Sequence, residues 1–276
     1  MENQLRNAIK KLLEEKTVGV AIGYGPVGVD GAVGAVFAAS PEEADQFVWN
    51  ADCVQNLAVH LTRPEVKALG KPAVVVNERG ARAVVLLCNE AQIKREDVVI
   101  VAINSSGTPA ITEYLNSVAD VVLEGPVAED KTPDARTAAT RKQLEELRAM
   151  SSEERFAFWR DQFSRCVRCY ACRQSCPLCY CNRCVADKNR PTRIDTSSSL
   201  KGNFAWNILR AFHLAGRCVG CGACSQACPA GIPLHLLNLT LADAAKENYG
   251  FVSGMELGAA PLIGSYAPTD KEEFIR

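Results

Sequence analysis

One cysteine pattern, written twice, constrains this 276-residue chain more than any other feature. The first copy reads Cys166-Val-Arg-Cys169-Tyr-Ala-Cys172-Arg-Gln-Ser-Cys176-Pro177, and the second Cys218-Val-Gly-Cys221-Gly-Ala-Cys224-Ser-Gln-Ala-Cys228-Pro229. Both follow the C-x2-C-x2-C-x3-C-P spacing that holds 4Fe–4S clusters in pairs. In such runs three thiolates on a tight loop wrap one cubane, while the fourth reaches across to the other. The expected ligand sets are therefore Cys166, Cys169, Cys172 and Cys228 for one cluster, and Cys218, Cys221, Cys224 and Cys176 for the second. Zinc sites use separated pairs and have no use for the middle cysteine of a triple. Disulfides fit poorly, because thirteen cysteines is an odd number and nothing marks the chain for export.

The remaining composition is that of a folded protein, 47% hydrophobic and 23% charged. No apolar run reaches the length of a membrane span, and Met1 to Arg6 carries no signal-peptide core. A cytoplasmic location in a reducing compartment is expected. Net charge is −1, unevenly spread: residues 155–217 hold twelve Lys/Arg against three Asp, a net of +9, so the rest carries −10. No aromatic interleaving or nucleic-acid motif accompanies the basic segment, so its cations are assigned to anionic clusters and no nucleic-acid partner is expected.

Before the motifs, periodicity alternates between strands and helices. Residues 2–16 form an amphipathic helix with Leu5, Ile9, Leu12 and Leu13 on one face, followed by a strand at 18–22. Gly23-Tyr24-Gly25-Pro26-Val27-Gly28 has dinucleotide-fingerprint spacing, but the glycine-rich residues after it are poor helix starters, which favours a strand connection. A strand at 35–38 follows, then a helix from Pro41 capped by Ser40 and another over 53–61. Strands at 72–76, 98–103 and 121–123 alternate with helices at 81–92 and 112–118. The expected architecture is an α/β domain with a mainly parallel sheet over 1–125, a helical linker over 126–164, an α-rich ferredoxin-like domain with two 4Fe–4S clusters over 165–250, and an extended tail over 251–276. Helices at 151–163, 203–216 and 233–247 surround the cluster loops. The apolar Leu257 to Tyr266 stretch suits docking along a partner.

Five cysteines remain. Cys179, Cys181 and Cys184 crowd together directly after the first motif, as three ligands of a third site, either a third 4Fe–4S cluster or zinc. Cys53 is the candidate fourth ligand, placed at a helix start where the dipole would lower its pKa. Cys88 reads as a small buried apolar residue in mid-helix. The three histidines read first as structural, His60 and His235 on amphipathic helix faces, with cluster tuning by a hydrogen bond as the alternative for His213.

Several stretches together resemble the iron–sulfur beta subunits of deazaflavin-dependent formate dehydrogenases and hydrogenases. They are Cys166 to Cys184, Arg210-Ala211-Phe212-His213-Leu214-Ala215-Gly216-Arg217-Cys218, and Trp49-Asn50 with Cys53 and Asn56-Leu57. Relatives of these subunits also occur beside heterodisulfide-reductase modules. The resemblance implies electron transfer between a catalytic partner and a flavin or heterodisulfide-reductase module, with FAD held by some members. Two departures weigh against FAD here. Asn77-Glu78-Arg79-Gly80-Ala81-Arg82 stands where relatives carry Lys-Gly-Cys-Asp-Ser-Arg, and Asn104-Ser105-Ser106-Gly107 where they carry a cysteine-containing turn. The sequence also lacks the long C-terminal flavin-binding extension. No nucleophile–base pair or phosphate loop is present, so no catalytic residues are expected. The function expected is a non-catalytic electron-transfer subunit, relaying electrons through 4Fe–4S clusters within an anaerobic oxidoreductase complex. A flavin-bearing reductase subunit is the alternative.

Overall fold

The computed structural model describes residues 1–264 apart from 29, 127–132, 185, 187–190, 192–194 and 196, with backbone alone for 133–137. The chain divides into two compact units: 1–135 with 254–259, and 136–253 with 260–276.

The first unit is built on five strands. Helix α1 (Glu2–Glu14) buries Leu5, Ile9 and Leu13, spaced one helical turn apart, against the sheet. Strands β1 (Val20–Val27) and β2 (Ala32–Ala38) form an antiparallel hairpin, with Ala21 opposite Ala38 and Val27 opposite Ala32. The glycines of the fingerprint-like run therefore lie in a strand and its turn, and no helix begins after them. Packing explains the first two. A Cβ on Gly23 would sit 2.7 Å from the Phe47 ring, and one on Gly25 would sit 2.8 Å from Val36.

Two expected helices are reduced to single 3-10 turns. At Glu42–Gln46, Ser40 is not the cap; instead the Glu43 carboxylate accepts from the N–H groups of Ala39 and Ser40 at 2.6 and 3.3 Å. At Leu57–His60, the Asn56 side chain accepts from Ala58 N–H at 3.2 Å. After the short α2 (Pro64–Lys67) the alternation is regular: β3 (Pro72–Val76), α3 (Glu78–Asn89), β4 (Val99–Asn104), α4 (Pro109–Val118) and β5 (Val121–Glu124). Sheet order is β2-β1-β3-β4-β5, parallel throughout except for the β1–β2 hairpin. Ala73, Val75, Val99, Val101 and Ile103 share the α1 face. Their neighbours Val74, Val76, Ile100 and Ala102 are also fully buried, so β3 and β4 are covered on both faces, as in parallel sheets generally.

Residues 254–259, which the sequence assigns to a free tail, belong to this unit. Asn89 clasps them twice, donating to Glu256 O at 2.9 Å and accepting from Gly258 N–H at 2.8 Å. The buried Tyr114 hydroxyl donates to Gly254 O at 2.8 Å.

The second unit is helical. It comprises α5 (Pro133–Ala149, counted from 136), α6 (Ser152–Ser164), α7 (Ala171–Gln174), α8 (Leu200–His213), α9 (Ala223–Gln226) and α10 (Leu234–Tyr249). Ser151 and Glu154 start α6 with a reciprocal capping box, as the sequence predicts. Leu144, Leu147, Trp159, Phe163, Trp206 and Leu236 form its core, with Trp159 stacked on Phe163 at 5.4 Å between ring centres. Asp243 on α10 binds Arg141 and Arg148 of α5 at 2.8 and 3.0 Å.

The two cysteine runs share one backbone form. Each ends in a one-turn helix, α7 or α9, whose preceding residue is left-handed: Tyr170 at φ 61° and Gly222 at φ 74°. Two residues earlier the pattern repeats, with Arg168 at φ 57° and Gly220 at φ 71°. These reversals, two residues apart, flank the second cysteine of each run, and the three loop cysteines line one cavity. Glycine takes this conformation freely, whereas other residues lose about 1–2 kcal/mol.

Two outcomes follow. Replacing Tyr114 by Phe leaves Gly254 O buried without its donor and should lower stability by about 1–3 kcal/mol in chemical denaturation of the full chain. Gly222→Ala meets nothing nearer than Gln226 Nε2 at 3.9 Å, so its cost should be the left-handed strain alone, about 1–2 kcal/mol, read as a lowered denaturation midpoint under anaerobic conditions.

Candidate iron–sulfur centres

Two small cavities lie in the second unit, each lined by four cysteines. Cys166, Cys169, Cys172 and Cys228 line the first, together with Trp206 and Asn207. Cys176, Cys218, Cys221 and Cys224 line the second, with Leu214, His235 and Asn238. Each cavity thus takes three cysteines from one repeat and one from the other. The exchange arises because α7 and α9 pack together: Ser175 on one side donates to both Cys172 O and Ala223 O at 3.3 Å.

A single ion and a cluster ask different spacings of their thiolates. Four thiolates on zinc at about 2.3 Å lie roughly 3.8 Å from one another, whereas a cubane spreads its thiolates over four corners. Among the described residues no three His, Cys, Asp or Glu side chains close on a point fit for one ion. Four cysteines lining one cavity are a donor set whose chemistry suits a 4Fe–4S group.

The cavity walls supply donors and charge. Gly220 N–H donates to Cys218 Sγ at 3.4 Å, and the buried Asn238 amide donates to Cys224 Sγ at 3.6 Å. Burial pushes the Cys218 thiol up to about 12, reinforced by the nearby Cys221 and Cys224 sulfurs. Burial likewise raises Cys172 and Cys224 to about 11, against the opposing pull of Arg210. Beside the first cavity the Arg168 guanidinium sits 5.3 Å from the Trp206 ring centre and donates to Gly202 O at 2.9 Å. Asn203 stitches the first loop to α8, donating to Phe163 O, Cys166 O and Ser198 O.

The histidines are placed differently from expectation. His213 is exposed at the end of α8, where its carbonyl accepts from Arg217. His235 lines the second cavity instead, with Nδ1 paired to Ser225 Oγ at 2.7 Å, and burial lowers its pKa. His60 packs edge-on against Phe37 and is driven to about 4 by burial, a structural residue.

The extra cysteines have separate surroundings. Cys179 is in hydrogen-bond contact with Cys176, which lowers the Cys179 thiol and raises that of Cys176, and Arg210 lies beside it. Cys181 is exposed, and its carbonyl accepts from Arg173. Cys184 is half-buried against the core of the second unit. Cys53, in the first unit, is not at a helix start. It is buried in the irregular segment before the Leu57–His60 turn, accepting from Asn50 N–H at 3.3 Å and donating toward Val48 O at 3.7 Å. Burial raises it to about 11, with no helix dipole to lower it. Cys88 is half-buried near the end of α3 and is not in its core.

The first unit carries a cavity of its own. A cavity of about 470 Å³ is lined by Lys67, Lys71, Pro72, Lys94 and Val98 among others. It opens at the amino ends of β3 and β4, whereas α/β sheets take nucleotides at the carboxyl ends of their strands. No helix among the described residues is long and apolar enough to cross a membrane.

Residues 162–232 match the family described as the 4Fe–4S dicluster domain. The F420-dependent formate dehydrogenase subunit beta of Methanocaldococcus jannaschii is 30% identical over 106 residues, covering 38% of this chain and 27% of its own length. The F420-dependent formate dehydrogenase 1 subunit beta of Methanococcus maripaludis is 31% identical over 111 residues, covering 40% and 28%. The chain thus spans little more than a quarter of the relatives it matches. Together the cysteine-lined cavities and these matches identify a 4Fe–4S dicluster domain in a chain similar over part of its length to F420-dependent formate dehydrogenase beta subunits.

Proposed function

We propose that the chain is the iron–sulfur electron-transfer subunit of a multi-subunit oxidoreductase. It holds two 4Fe–4S clusters, one on Cys166, Cys169, Cys172 and Cys228 and the other on Cys218, Cys221, Cys224 and Cys176. Electrons pass between a catalytic subunit of formate dehydrogenase or hydrogenase type and a flavin or heterodisulfide-reductase-like module. The observation that carries this reading is the pair of cavities along one helix, each walled by a crossed set of four cysteines.

Each cluster, when bound, takes up and releases single electrons. The protein provides the rest. The left-handed residues of the two loops flank the second cysteine of each run, and Gly220 N–H and the Asn238 amide donate to sulfur, which favours the more negative, reduced state. Trp206, Leu214 and Ile232 keep water from the cavity walls. Electron transfer itself requires no proton delivery, and the walls are mostly amides, apolar groups and arginine, with His235 held by Ser225 in the second. Cys179, Cys181 and Cys184 are the candidates for a third site, with a cytoplasmic setting among the other subunits of the complex.

Crossed ligation is tested by serine replacements followed by EPR of the reduced protein. Cys176→Ser should alter the same spectral component as Cys221→Ser, and Cys228→Ser the same one as Cys169→Ser. If Cys176→Ser instead alters the component lost in Cys169→Ser, the assignment is wrong. Iron analysis after anaerobic purification should give about eight irons for two clusters and about twelve for three. Cys53→Ser should leave the two-cluster signals unchanged, while loss of a third component would make Cys53 its ligand. Affinity purification from the native host should bring down a redox subunit of the stated kind; isolation alone with a full flavin complement would favour the reductase alternative.

A further inference from the structure

Arg210 is the least expected residue in the second unit. It is a full positive charge, 4% exposed, in the last turn of α8. Among the described residues no carboxylate pairs with it. A buried cation without a counter-charge is strongly destabilising, so something at this place must be negative.

Its surroundings show what that is. On α8, residues 206 and 207 wall the first cavity and Leu214 walls the second. Seven residues at about 1.5 Å each separate Asn207 from Leu214, roughly 10 Å. Arg210 lies three residues after one and four before the other, on the same helical face. Its Nη2 donates to Cys172 O at 2.9 Å, the backbone of a first-cavity cysteine, and its Nε has no hydrogen-bond partner. The groups that act on it most strongly are the sulfurs of Cys179, outside both sets, then Cys176 and Cys224 of the second set and Cys172 of the first.

Building on the two-cluster reading above, we propose that Arg210 is a shared electrostatic positioning residue, whose buried guanidinium lies between the two clusters and raises the reduction potential of both. Reduction adds one negative charge to a cluster, and a fixed cation nearby stabilises that added charge. Because it lies within electrostatic reach of sulfurs of both sets, it also screens each cluster from the charge of the other. Without it, the first electron would hinder the second.

The test uses the full chain, purified anaerobically, with R210M (similar size, no charge) and R210K (charge kept). Iron content comes first: about eight irons in the wild-type chain is what the two-cluster reading requires, and failure there sinks that reading rather than this one. EPR-monitored redox titration then follows both clusters. R210M should make reduction of each cluster at least tenfold less favourable, a fall of 59 mV or more for a one-electron couple. R210K should stay within threefold of wild type. Full iron loading with unchanged potentials in R210M, a fall confined to one cluster, or an equal fall in R210K would each overturn the proposal. If R210M does not load, wild type and R210K labelled with 15N-arginine decide the matter by pulsed EPR. Loss in R210K of a guanidinium nitrogen coupling to the reduced clusters is expected, and unchanged spectra overturn the proposal.

Discussion

Gathering four thiols around one small cavity is unfavourable in itself. Each sulfur loses water, and each thiolate formed opposes the next, which is why burial and neighbouring sulfurs hold Cys172, Cys218 and Cys224 far above the ordinary thiol range. The fold therefore presents these three groups in a protonated, neutral form, and their protons must leave if metal is to bind. Cavity walls, donors and cations in the second unit are arranged around that requirement. Asn238, Gly220 N–H and Arg210 all place positive or partially positive hydrogen where negative charge will accumulate.

Helix α8 organises that response. One stripe carries Asn203, Trp206, Asn207, Arg210 and Leu214 at the three- and four-residue spacing of a single face. Asn203 fixes the entry of the first loop, Trp206 and Asn207 close its cavity, and Leu214 closes the other. An ordinary helix facing a core would carry leucines at these positions. This one carries two buried amides and a guanidinium, and each polar group has a specific role beside sulfur or loop backbone. The stripe also explains why the helix sits in the chain between the two motifs: the segment joining the repeats spans both.

Much of this was legible in the sequence because the relevant signals are local. The duplicated spacing, the Ser151 to Glu154 capping box and the alternation of Val-rich strands with helices all act over a few residues. What escaped depends on distant contacts. Nothing near Cys53 reveals that Asn56, rather than the cysteine, starts the turn at Leu57. The run at 23–28 reads correctly as a strand connection, but the reason glycine stands at 23 and 25 shows only in Phe47 and Val36 pressing on them. His213 stands closer to the motif in sequence, yet the direction of α8 turns it to solvent, while α10 brings His235 back to the second cavity. Arg210 could have been suspected, since an arginine among Ile208, Leu209, Ala211 and Leu214 has no place on an apolar face without a buried anion. The clasp of residues 254–259 by Asn89 and Tyr114 rests on separations of more than a hundred residues and leaves no periodic trace.

The left-handed positions in the two loops have a consequence for how a duplicated motif diverges. In the second loop they are occupied by Gly220 and Gly222, which contribute no side chain; in the first, Arg168 and Tyr170 accept the strain and pack their side chains around Trp206. The cysteine spacing is identical, so inheritance can alter the dielectric around one cubane without moving a single ligand. Two copies of one gene segment can in this way become unequal steps, and an uphill or downhill slope for electrons needs no change in the metal chemistry.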